Sequence, residues 1–144
     1  MRRWILVAAL VSVHAPHALA HHSFGVAFDA DKPVTLSGVV TKIDWRNPHS
    51  HVYVDITGQD GKVVSWTFEG YPPNVLSRTG WKRDETIKIG DTIKVFGWLA
   101  RDGTPFAHLR EVTLANGQRL FFGPPAGTGE GAPLAVTPPP APRP

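Results

Sequence analysis

The 144 residues contain no cysteine, which excludes a disulfide frame, a thiolate metal site and a cysteine nucleophile. Methionine is confined to Met1, so thioether ligands for a soft metal are missing from the rest of the chain. Long apolar runs are missing too. The longest, Trp4 to Val13, falls well short of the ~20 residues that cross a bilayer. Lys and Arg never cluster into a block, so no nucleic-acid surface is indicated. No serine sits in a Gly-x-Ser-x-Gly setting, no phosphate-cradling glycine loop occurs, and no carboxylate pair can be placed across a substrate. These absences leave binding as the expected activity, with no enzyme chemistry recognisable.

What is present begins with a targeting segment. Met1-Arg2-Arg3, the apolar run and the small residues of Ala18-Leu19-Ala20 predict a secretory signal peptide over residues 1–20, cut to leave His21 with a free α-amine. The chain is then expected to be secreted. Loss of Arg2 and Arg3 takes the balance from +3 to 13 basic against 12 acidic residues, so the apparent basicity is largely part of the leader. Five histidines remain: His21, His22, His49, His51 and His108.

Residues 21–33 read as an N-terminal arm, either a short edge strand carrying Phe24, Val26 and Phe28 on one face or a loose end. Residues 34–122 read as one β-rich domain. A first strand is expected over Val34–Trp45, bent or bulged near Gly38, and Arg46-Asn47-Pro48 turns into a second strand, His49–Thr57. Gly58-Gln59-Asp60-Gly61 leads to a third, Val63–Glu69, and Pro73 opens a short helix stopped at Gly80. Strands over Thr92–Ala100 and Ala107–Ala115 follow, and the Asn116-Gly117 turn sends a last strand back to Phe122. Residues 123–144 hold eight of the fourteen prolines and almost no apolar bulk, the composition of a disordered tail. Three strands, a short helix, then two or three strands is the layout of an OB-fold-like Greek-key barrel, all-β, with its helix between strands three and four.

Strand pleating selects the candidate site. In an extended segment His49, His51, Tyr53 and Asp55 share one face, while Val52, Val54 and Ile56 share the other. Burying Trp66 and Phe68 with those valines, each aromatic being worth roughly 1.5 to 3 kcal/mol, requires residue 54 opposite 66. Glu69 then falls opposite His51. His49, His51 and Glu69 form a nitrogen and oxygen donor set suited to copper(II) or zinc(II), with copper favoured and Asp55 available to orient a ring. His21 adds an amine and an imidazole, and His22 a second imidazole, if the arm crosses the second strand. The alternative is a metal-free module binding a small molecule, glycan or partner protein on the same face. His108 reads as structural or solvated.

The signal segment ending before His21-His22-Ser23-Phe24, together with Asp31-Lys32-Pro33-Val34-Thr35-Leu36-Ser37-Gly38, Trp45-Arg46-Asn47-Pro48-His49, Trp66-Thr67-Phe68-Glu69-Gly70 and Gly80-Trp81, resembles a family of small secreted proteobacterial proteins of unknown function. The resemblance implies a periplasmic β-barrel and assigns no activity. More loosely, the chain is similar to the OB-fold periplasmic copper and silver chaperones of efflux systems. That likeness implies Cu(I) held by His and Met beside a Trp, and here no methionine follows Met1.

Overall fold

The computed structural model describes residues 24–122; residues 1–23, with His21 and His22 among them, and residues 123–144 lie outside the described residues, and with them the expected leader and tail. The elements run α1 (Phe24–Ala27), β1 (Phe28–Asp44), β2 (His51–Thr57), β3 (Val63–Glu69), α2 (Pro73–Arg78), β4 (Thr92–Ala100), β5 (Phe106–Thr113) and β6 (Arg119–Phe121). β1 pairs antiparallel with both β2 and β4, β2 with β3, and β4 with β5. A parallel pairing of β3 with β5 then closes a five-stranded barrel, with β6 added to β5. This is the expected OB-like arrangement, with α2 between strands three and four.

Closure rests on a short seam in which Thr67, Phe68 and Glu69 meet Phe106, Ala107 and His108. Following ladder partners from Asp44 through His51, Glu69, His108 and Trp98 leads back to β1 at Pro33, eleven residues upstream of the start. Such a stagger is what a tilted sheet needs to close on itself. Alternation fills the interior: Val40, Val52, Val54, Phe68, Val95 and Leu109 are all buried. Leu76 of α2 and Trp81, whose indole donates to the Phe121 carbonyl, add to this core.

Gly38 is needed where β2 crosses close to β1, because a Cβ there would lie 2.3 Å from the Asp55 carbonyl oxygen. The bulge itself comes later, between Val40 and Lys42. A second irregularity, between Phe96 and Gly97 on the β4–β5 ladder, accommodates Arg110 as an extra residue of β5 and lets Leu109 and Val112 both turn inward.

The opening segment departs from the expectation of a strand over Phe24, Val26 and Phe28. Residues 24–27 form one helical turn, so Phe24 and Phe28 fall at i and i+4 on one side and Val26 is left 68% exposed. The strand that follows is correspondingly longer, starting at Phe28 rather than Val34. Phe28, Phe96, Trp98 and Ala100 make a second cluster, completed by Phe24, Ala27 and Phe106, on the barrel's outer face.

Candidate functional site

Each site residue owes its place to a local feature of the chain. Val52 and Val54 are fully buried, which turns His51 and Tyr53 outward. The β2–β3 register sets Val54 opposite Trp66 and His51 opposite Glu69. A turn containing a cis Asn47–Pro48 peptide precedes His49 and sets it beside the same carboxylate.

His49 Nδ1 lies 2.8 Å from Glu69 Oε1 and His51 Nε2 lies 3.5 Å from Glu69 Oε2, so one carboxylate holds an imidazole on each oxygen. Burial acts to raise the Glu69 pKa. Hydrogen bonding from His51 and the positive fields of His49, His51 and His108 outweigh it, holding the group below the ordinary glutamate value. On distance alone the His49 contact is the stronger, since 3.5 Å is at the limit of a hydrogen bond. The imidazoles keep 45% and 27% of their side-chain surface, which leaves both open to solvent and to an incoming ligand.

A groove of about 350 Å³ opens over these side chains, walled also by Asp44, Arg46, Asn47, Pro48 and Tyr53. Asp44 and Arg46 are joined by a two-pronged charge pair, and Lys42 lies over the Tyr53 ring at 4.8 Å. Among the described residues, no group of three or more histidines and carboxylates is gathered so as to hold a metal ion by itself. Asp55, expected to orient a histidine ring, instead accepts a hydrogen bond from Ser65 on β3.

A family model described as a family of unknown function (DUF6152) matches residues 8–108. The chain belongs to this family. No curated protein and no solved structure matches the chain. Membership carries no assigned activity, and none of the described helices is long and apolar enough to cross a membrane.

Two residues of this family member bear on the site although sequence reasoning left them out of it. His108 is the ladder partner of Glu69 across the β3–β5 seam, so the carboxylate has a histidine as neighbour on each side. Its ring is mostly buried among Phe24, Phe28, Tyr71 and Trp98, at centroid distances of 5.2, 5.4, 6.1 and 6.0 Å. Burial pushes its pKa down to about 4, with Arg110 and His49 acting in the same direction and Glu69 against them. The second is Phe24, whose ring meets both His108 and Trp98 edge-on. The closure expected of an OB-like barrel was the signal that could have found His108, because it brings the start of the fifth strand against the end of the third. His21 and His22 lie outside the described residues.

Proposed function

We propose that this protein is a periplasmic binding protein for a divalent transition metal, copper(II) before zinc(II), held by His49, His51 and Glu69 with His21 and His22 completing the set. The observation that carries the reading is the clasp of Glu69 by one nitrogen from each of two solvent-facing imidazoles. Nitrogen and carboxylate donors suit Cu(II) and Zn(II), and the lack of cysteine and of methionine after Met1 disfavours Cu(I).

The described residues alone do not form a complete cage, which is why the amino end is given a share of the site. Phe24 is docked against His108, the immediate ladder neighbour of Glu69. The three residues before it can reach about 10 Å, and neighbouring strands lie only ~4.8 Å apart. Export is read from the leader in residues 1–20, whose removal would expose the amine of His21, and the periplasm from the resemblance to small secreted proteobacterial proteins.

Calorimetry with Cu(II) and with Zn(II) on the chain beginning at His21 tests this. Binding at micromolar or better is expected, lost in His49→Ala/His51→Ala and weakened at least about tenfold when one residue is added before His21. Binding unchanged in the double variant would move the site to the amino end alone. The second reading is a small polar ligand in the groove between Arg46, Tyr53 and Glu69, favoured by a volume of about 350 Å³, at the small end of ligand sites. No heat with either metal would leave that reading standing in place of the first.

A further inference from the structure

We propose that Asp44 is a further metal donor at this site and that Arg46 holds the ion's place there as a resident cation, released when the metal arrives; the inference rests on the metal reading above. Asp44, His51 and Glu69 are successive ladder partners across β1, β2 and β3. Directly opposed residues on antiparallel strands share a face, with Cβ atoms about 4.5–5.5 Å apart. His51 therefore stands between two carboxylates, and His49 reaches Glu69 from the preceding turn. All four side chains line the groove. The bulge between Val40 and Lys42 is what brings Asp44 there. Strict alternation from the buried Val40 would turn Asp44 inward; the extra residue resets the phase, so that Ile43 packs on the core and Asp44 faces the groove.

Arg46 occupies Asp44 as a cation would. Its Nε donates to Oδ1 at 2.6 Å and its Nη2 to Oδ2, so both carboxylate oxygens are taken. The Arg46 side chain is 74% exposed and that of Asp44 11%, so the guanidinium reaches in from solvent to a carboxylate that is otherwise largely covered. An ion pair with so exposed a partner holds weakly and opens readily. Charge favours the exchange. With neutral imidazoles, the two carboxylates Asp44 and Glu69 against the one guanidinium of Arg46 leave the groove walls a single negative charge. With Arg46 swung away, the two carboxylates match a divalent ion. Two imidazoles and two carboxylates make a mixed set of nitrogen and oxygen donors that suits Cu(II) and Zn(II). As they stand these groups form no ready cage among the described residues, and release of Asp44 from Arg46 supplies a donor that the carboxylate of Glu69 and the two rings lack. A cationic residue of the groove should then oppose metal binding rather than support it.

The test is calorimetric titration of Cu(II) and of Zn(II) into the chain beginning at His21 and into its Asp44→Asn, Arg46→Gln and Asp44→Asn/Arg46→Gln variants, with circular dichroism checking that each barrel is intact. Electron paramagnetic resonance of the copper-loaded Asp44→His variant reads the donor directly. Asp44→Asn is expected to bind at least about tenfold more weakly, and Arg46→Gln about threefold more tightly. In the double variant the gain from Arg46→Gln should vanish, because no carboxylate is left to be freed. Asp44→His should add one nitrogen to the copper spectrum of the parent. Unchanged affinity in Asp44→Asn, or no added nitrogen in Asp44→His, overturns the inference and leaves the metal reading in place. Binding no tighter in Arg46→Gln overturns it too, because the guanidinium would then hold no place that the ion needs. An equal gain in the Asp44→Asn background does the same, since Arg46 would then act by plain repulsion of the ion. A parent chain that binds neither metal removes the metal reading, and the role of Asp44 falls with it.

Discussion

His108 shows most clearly how one side chain ties the site to stability. Its pKa is about 4 in the folded protein against 6.5 in its absence, because burial disfavours the charged ring. A depressed folded value means stability that is complete above pH 6.5 and drains away as pH falls toward 4, by about 3 kcal/mol at most. Glu69 acts in the same sense at lower pH. Its carboxyl is held below 4.5, so its contribution is present above that value and lost as acid protonates the folded form. Urea unfolding measured from pH 7 to pH 4 should show this decline, and His108→Phe should flatten most of it. A parent curve that stays level across that range would contradict the placement of the imidazole. The same residue marks a limit of sequence reading. The valine alternation around position 52 was enough to pair His51 with Glu69, whereas the surroundings of His108 depend on a ring closure and on an arm folded from outside.

Among the elements, the β2–β3 hairpin was the most legible, because no other register sets Val52, Val54 and Phe68, all buried, on one face with Trp66, which is only partly buried against the core. The arm was the least. Phe24, Val26 and Phe28 alternate like a strand, but the Trp98 and His108 surface rewards a helical turn that brings the first and third together. Local pattern favoured one answer and tertiary contact the other. Glycine positions carried partial information: the bend foreseen at Gly38 is a close approach, with the bulge displaced toward Lys42. Gly38→Ala should cost more than about 2 kcal/mol in chemical denaturation, since the added carbon meets rigid backbone of β2 rather than a side chain that can turn away. The same change at Gly61, on the hairpin turn with φ of 77° and nothing within 4 Å, should cost only the turn's conformational strain, about 1 kcal/mol.

For the molecule as a whole, the barrel and its outer cluster divide the labour. The interior is complete without α1, and the arm adds a patch of aromatic packing beside the groove. The chain lacking residues 21–27 is accordingly expected to keep its strand circular dichroism and to lose only a few degrees of melting temperature. Collapse of the β signal on that truncation would show that the arm belongs to the core. The brevity of the β3–β5 seam has another effect. The ladder stops at Thr67, so Val63 through Trp66 have no strand on that side among the described residues, with Val63 and Val64 58% and 45% exposed. Edge amides without a strand partner, next to apolar side chains, invite a neighbouring chain to add itself as an extra strand, and in a concentrated solution this margin is where self-association should begin. Val63→Lys should therefore raise the concentration at which light scattering first detects aggregates, with the melting curve left where it was.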